Sequence, residues 1–329
     1  MNDRNQSKLL QPFRIAPFFR TRIWGFDDLS PWFDFKTAGE PIGEVWLTGD
    51  QCVADSGQFA GQALNDIVRS QGAALVGKEH LGETYPLLVK VLFPKEKLSV
   101  QVHPDDAMAR NYGQPRGKTE CWYALDAAPG AQVALGIRPG VEGEEVRAAI
   151  HDSMLEDLLA WLPVDQQDMI YVDAGTVHAI APGVVLLETQ QNSDLTYRMY
   201  DYGRPRDLHV DLSMEAMRSH TNAGKVKPVP EKGHTKLIDV PYFRLDRFAL
   251  NNSSAENALG SANGEFTDRT QVLFVSAGHA TLYADGAAPV ALDRCQTAIV
   301  PSSTSAWWLK SADHAEVIRI VPQPGNASK

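Results

Sequence analysis

The stretch Leu98 to Cys121, LSVQVHPDDAMARNYGQPRGKTEC, decides how the rest of this 329-residue chain is read. Successive side chains of a strand point to opposite faces, so Ser99, Gln101 and His103 share one side and Val100 and Val102 the other. Pro104 ends the strand. Asp105 and Asp106 are helix caps for a short helix over Ala107 to Asn111, and Tyr112-Gly113-Gln114-Pro115 turns the chain. It returns as Thr119-Glu120-Cys121-Trp122-Tyr123-Ala124-Leu125, a β-rich run in which Glu120 faces opposite to its two neighbours. Further on, Gly175-Thr176-Val177-His178 ends a glycine turn on a second imidazole. One Gln, two His and one Glu form a mixed nitrogen and oxygen donor set that suits Zn²⁺, and also Fe²⁺, Mn²⁺ or Co²⁺, with a coordination position left for water or substrate.

Outward from this stretch, the chain reads as many short strands. Ile42 to Leu47, Leu87 to Phe93, Ala131 to Ile137, Asp168 to Val172 and Gly183 to Gln190 are apolar or alternating runs bounded by turn residues. Phe59 to Leu75 has helical spacing. Val146, Ile150, Met154, Leu158 and Trp161 recur every three or four residues, which predicts a helical insertion at about 141–165. A short helix is expected near Leu212 to Ser219, and KVKPVPEKGHT, Lys225 to Thr235, reads as a linker. The division expected is therefore 1–232, holding the donors, and 233–329, a second β-rich unit. Ile170–His178 can be laid on Ala298–Ala306, a faint repeat whose second copy has Ala306 in place of the imidazole, so that unit is expected to hold no metal.

Composition narrows the function classes. With 31 Lys and Arg against 41 Asp and Glu, the net charge of −10 argues against a nucleic-acid binder, and an anionic ligand must find a local positive pocket. Three widely spaced cysteines, Cys52, Cys121 and Cys295, fit a reducing compartment rather than a disulfide framework. The N-terminus has no signal-like apolar core and no 18-residue apolar run occurs, so the expectation is a cytoplasmic protein without membrane or nucleic-acid partners, monomeric or homodimeric.

The strand, glycine turn and His, with an upstream His/Glu pair, resemble the cupin double-stranded β-helix, with Asp173 standing where that turn usually has Pro. LSVQVHPDD (98–106), GKTECWY (117–123) and ETQQNSDLTYR (188–198), with Ile23-Trp24-Gly25 and Ile42-Gly43-Glu44-Val45-Trp46, are similar to the type I mannose-6-phosphate isomerases in their short bacterial form, over roughly residues 15 to 210. The resemblance implies a mainly β cupin (double-stranded β-helix, or jelly roll) with a small helical insertion and a second, degenerate cupin-like β-sandwich. It implies one Zn²⁺ or other divalent ion on Gln101, His103, Glu120 and His178, with Lys118, Glu188 and Arg198 catalytic and Ser99, Lys118, Arg198 and Arg204 on the sugar phosphate. Long family members carry a Lys where Arg204 stands, and many carry an aromatic where Ile180 stands.

Each residue also has a plainer reading. A lone strand His is usually structural, and Lys118 alone would be a surface charge. Glu188, in an otherwise apolar strand, would be a buried ion pair with an Arg. His80, His151, His209, His220, His234, His279 and His314 read as surface or packing residues, and Trp307-Trp308 as core or interface. The function expected is a metal-dependent aldose–ketose isomerase interconverting mannose 6-phosphate and fructose 6-phosphate through an enediolate. The alternative is a non-catalytic sugar-phosphate-binding cupin. A cupin oxygenase fits less well, because only two of the four donors are His.

Overall fold

A computed structural model describes residues 9–251, 266 and 268–325. The chain divides into two compact units that interleave along the sequence: 1–18, 46–87 and 227–329 form one, and 19–45 with 88–226 form the other. The linear cut expected between 232 and 233 falls close to the last of these boundaries and gives no hint of the others. The reason is non-local pairing: Phe13–Ala16 runs antiparallel to Thr297–Val300, so this early strand belongs to the sheet of the C-terminal segment.

That first unit is built on a ten-stranded sheet. Its longest strand, Gln271–Ala284, pairs with Thr297–Val300 and His314–Pro322 over its first half and with Val290–Asp293 and Trp307–Lys310 over its second. Register slips between Val275 and Ala277, where the strand changes partners. Phe248, Leu273, Leu282, Val300, Trp307 and Val317 fill the interior that results. Trp307 is therefore core, and the two arms of the faint repeat, Met169–Val172 with His178–Ile180 and Thr297–Val300 with Trp307–Lys310, are both strand, turn and strand.

The second unit has two antiparallel sheets. One runs in the order Gly224–Val226, Met169–Val172, Glu120–Ala127, Val184–Gln191, Leu87–Leu92, Ile42–Trp46, Phe18–Phe26; the other is Tyr197–Tyr200, Val100–Val102, His178–Ile180, Gln132–Ile137, Leu159–Pro163. Trp122, Ile170 and Leu186 from the first pack with Val133 and Ile180 from the second in one core. On the far face of the five-stranded sheet, Val100, Val102 and Ala179 pack against Val146 and Ile150 of the helix Gly143–His151 and Ala216 of the helix Val210–Ala216. Strand alternation thereby turns Gln101 inward, as the sequence predicts. Mainly β architecture with facing antiparallel sheets and a small helical insertion is what the molecule has.

The insertion is shorter than expected. Its helix starts with Glu142 N–H donating to the Glu145 carboxylate (2.8 Å) and stops at His151, because Ser153 takes a left-handed φ of 59°. Leu159–Pro163, expected as helix, is an edge strand paired with Gln132–Ile137. A short apolar run such as Leu158-Leu159-Ala160-Trp161-Leu162 satisfies either period, and Met154, counted on the apolar face, is 56% exposed. Likewise Phe59–Leu75 is no single helix: Leu64–Gln71 and Ala73–Val76 are separated by Gly72 at φ 50°. The expected linker at Lys225–Thr235 carries strands, Gly224–Val226 against Met169–Tyr171 and Val229–Glu231 in a hairpin with His234–Lys236. Pro228 and Pro230 mislead here, since proline is tolerated on sheet edges. Among the described residues no helix is long and apolar enough to cross a membrane.

Two glycines set the geometry that follows. At Gly117 a Cβ would lie 2.4 Å from the Asp105 carbonyl carbon and 2.5 Å from the Pro104 oxygen; at Gly175, with φ 90°, it would meet the Arg218 side chain at 2.7 Å. Gly117 lets the returning chain lie flush on the Pro104 turn, with Lys118 N–H donating to Pro104 O (3.0 Å) and Gly117 N–H to Asp106 Oδ1 (2.8 Å). Gly117→Ala should therefore destabilise the chain by about 2 kcal/mol, the scale of overpacking against rigid neighbours, and lower the unfolding midpoint by ~4–8 °C. An unchanged midpoint in a thermal scan contradicts this reading.

Candidate metal centre and cavity

The five-stranded sheet aligns three of the expected side chains in one row. Gln101 is directly opposite His178 on one side and Arg198 on the other. His103 lies two residues beyond Gln101, on the same face, and its carbonyl accepts from Gly175 N–H (2.9 Å), tying the two His-bearing turns together. Glu120 arrives from the other sheet, where it pairs with Val172 and Gln190. The donor atoms of His103, Glu120 and His178 lie within 4.8 Å of one another, and all three side chains are buried.

The surrounding bonds prepare these groups as ligands. His178 Nδ1 bonds Thr176 O (2.9 Å), and Thr176 is held in turn by Asp173 (2.9 Å), so Nε2 is the nitrogen presented to the cluster. Burial holds both imidazoles below the usual histidine range; Lys118 deepens this for His103, while Glu120 partly offsets it for His178. Burial raises Glu120, but the Lys118 ammonium beside it leads the effects that outweigh burial and hold the carboxyl below its ordinary value. Neutral imidazoles and an ionised carboxylate are the states in which these side chains bind metal.

A cation already belongs in this nest. Glu120 is fully buried, and its Oε1 has no hydrogen-bond partner. The Lys118 ammonium stands 2.8 Å from Glu120 Oε2 and 2.9 Å from His103 Nε2, a positive charge among the donor atoms. The donor set thus fits a divalent ion. Gln101 adjoins it, with Nε2 3.1 Å from His178 Nε2 and Oε1 accepting from Ser99 (3.3 Å), so a half-turn of the amide would present the oxygen to the cluster.

Gln101 and Lys118, which adjoin the cluster, open on a cavity of about 510 Å³ that His103, Glu120 and His178 do not line. Ser99, Gln101, Lys118, Glu188 and Arg198 line it, as do Lys90, Glu44, Asp194 and Arg206. The expected Arg204 is not among the lining residues; its guanidinium donates to Lys97 O (2.8 Å) and pairs with Asp201 (2.9 Å). The backbone of Arg198 is bracketed by His209, whose Nδ1 accepts from Arg198 N–H (3.1 Å) and whose N–H donates to Arg198 O (2.7 Å). That histidine does more than fill surface.

Glu188 has both oxygens engaged: Oε1 is 2.9 Å from Lys90 Nζ and Oε2 accepts from Trp122 Nε1 (3.0 Å). The plainer reading of a buried ion pair is thus present, with a lysine rather than an arginine. Lys90 also faces Glu44 (3.9 Å), which Arg22 grips with two bonds (2.8 and 3.1 Å). Burial and Glu120 raise the Glu188 carboxyl above the ordinary carboxylate range, while Glu188 and Glu44 outweigh burial at Lys90 and keep it charged. Lys90 and Glu44 were missed in the sequence. The signal that could have found them is a charge inside an otherwise continuous apolar strand, Leu87-Leu88-Val89-Lys90-Val91-Leu92, because such a charge must be paired.

Comparison with known proteins places this geometry. Residues 13–135 match the family model of the phosphomannose isomerase type I catalytic domain. The chain is 34% identical over 267 residues to mannose-6-phosphate isomerase ManA of Bacillus subtilis, covering 74% of this chain and 81% of that protein. It is 30% identical over 312 residues to the mannose-6-phosphate isomerase of Streptococcus mutans, covering 91% and 95%. The crystal structure of the mannose 6-phosphate isomerase from Bacillus subtilis superposes with a TM-score of 0.82 at 28% identity, over 94% of this chain and 99% of that one. With the donor cluster, the cavity and these likenesses in agreement, the chain belongs to the type I phosphomannose isomerase family.

Proposed function

We propose that this chain is a metal-dependent aldose–ketose isomerase, interconverting mannose 6-phosphate and fructose 6-phosphate, with one Zn²⁺ on Gln101, His103, Glu120 and His178, working in the cytoplasm. The observation that carries the reading is a buried His/Glu/His donor set whose neighbours Gln101 and Lys118 line a cavity holding both cationic and acidic groups. Its volume of about 510 Å³ is within the range of small-ligand sites.

The reaction moves a proton between C2 and C1 and passes through an anionic enediolate. A bound divalent ion would supply Lewis-acid stabilisation of the charge that develops on the two sugar oxygens. Lys118, once drawn off Glu120, adds a second positive group beside that charge. Glu188 carries the proton: burial and the Glu120 charge raise its carboxyl from its ordinary value, the direction that favours holding a proton between its two transfers. Lys90 and Trp122 aim it and set its charge balance, so each transfer at Glu188 is accompanied by a change in its bond to Lys90. Ser99 and Arg198 hold the phosphate end, whose binding energy orients the sugar. A binding protein of the same fold has no use for a buried, raised carboxyl in its cavity, which favours the enzyme over the non-catalytic alternative.

A coupled assay of fructose 6-phosphate formation from mannose 6-phosphate tests the reading. Activity should vanish on chelation and return with Zn²⁺; a well-folded, zinc-loaded chain with no turnover contradicts it. Metal analysis of the purified protein should find one divalent ion per chain, lost in His103→Ala and in His178→Ala, whereas full occupancy in both variants removes this site from consideration. Glu188→Gln should lose on the order of 10²-fold in kcat, the usual weight of a general base. Near-normal kcat in a folded, metal-loaded variant would move the proton to Lys90, Lys118 or Asp194.

A further inference from the structure

The loop after the Arg198 strand carries two arginines, and they do different things. Tyr202 and Gly203 both take left-handed φ values, 56° and 77°, which fold the chain so that Arg204 and Arg206 return to the same carboxylate. That carboxylate, Asp201, is 2% exposed. Arg204 uses its fork to hold the protein together: Nε donates to Asp201 O (3.1 Å), Nη2 to Lys97 O (2.8 Å), and its plane lies over the Tyr202 ring (5.3 Å). Arg206 is held differently. Its Nε and Nη2 both donate to Asp201 (2.6 Å each), a bidentate clamp that uses one edge of the guanidinium and leaves Nη1 outside it, while the residue lines the cavity.

Arg198 lines the same cavity, and its Nε is buried without a hydrogen-bond partner. The Arg206 charge reaches it, contributing with burial to depress the Arg198 guanidinium below its ordinary value. Two guanidinium groups that repel one another across a cavity wall, one of them with an unused buried donor, form a place where a dianion is the natural occupant. The anchoring of Arg206 also lowers the conformational entropy lost on binding, since its fork is already fixed.

We infer that Arg206, aimed by Asp201, is with Arg198 a phosphate-binding residue, and that Arg204 is a brace of the loop rather than a substrate contact. The inference rests on the sugar-phosphate reading of the cavity and names the residue that reads the phosphate. It also divides labour within one short segment, DYGRPR, where residue type alone makes the two arginines equivalent.

Calorimetric titration of the metal-loaded chain with inorganic phosphate, alongside steady-state kinetics with mannose 6-phosphate, tests it. Arg206→Ala should weaken phosphate binding and raise KM by about 10- to 100-fold, the weight of charge-assisted hydrogen bonds, with kcat changed by less than about threefold. Arg206→Lys, which keeps the charge but loses the clamp, should fall between wild type and Arg206→Ala. Arg204→Ala should lower the unfolding midpoint and cost less phosphate affinity than Arg206→Ala. Phosphate binding equal in wild type and Arg206→Ala, or a larger loss in Arg204→Ala, overturns the assignment. An inactive wild type whose phosphate binding still depends on Arg206 would uphold the assignment and sink the isomerase reading instead.

Discussion

A carboxylate with no solvent is the constraint around which the second unit is built. Glu120 is fully buried and its Oε1 has no hydrogen-bond partner, so it must have a cation nearby to remain ionised. Lys118, His103 and His178 surround it at 2.8, 3.7 and 3.5 Å. Removing the positive partner from such a group costs several kcal/mol, more than any surface contact in the chain can return. A divalent ion satisfies the same need with a higher charge. Lys118 stands on that nest and also lines the cavity, so a divalent ion held by the same donors would have this ammonium beside it.

Placement of the candidate donors depends on backbone more than on the side chains themselves. Gln101, His178 and Arg198 stand in one row because three adjacent strands are in register, and a slip of one residue would turn Gln101 outward into the core occupied by Val100 and Val102. Glu120 reaches them because Gly117 permits the returning chain to touch the Pro104 turn. Beside this nest runs a second, charge-balanced chain, Arg22, Glu44, Lys90 and Glu188, ending on the Trp122 indole. Two cations and two anions cancel, so the apolar strands that carry Glu44, Lys90 and Glu188 can bury them.

Much of what the structure brings together at the candidate site could be read from the sequence because its residues cluster in short, regular strings. Ser99, Gln101 and His103 follow from strand alternation, Asp105 from capping, realised as its carboxylate accepting from Met108 N–H (2.8 Å), and His178 from the glycine turn. Long-range pairing was not legible. Nothing in Phe13–Ala16 announces its partner Thr297–Val300, and so the interleaved division of the chain escapes a linear reading. Lys90 and Glu44 look like interruptions until each is seen as the other's neighbour. Helix ends failed where a single left-handed residue, Ser153 or Gly72, cut a run whose apolar spacing continued past it. Arg204 and Arg206 are indistinguishable by type; both reach Asp201, and of the two Arg206 lines the cavity.

The claim on which all of this rests is that the buried nest is a metal site requiring the Glu120 charge. Titrating the chelator-stripped chain with Zn²⁺ by calorimetry, in wild type and in Glu120→Gln, tests it most directly. One ion per chain should bind to wild type and at least ~100-fold more weakly to the glutamine variant, as expected for loss of a ligand and its charge. Equal affinity in the two proteins, or no binding to wild type, would contradict the account.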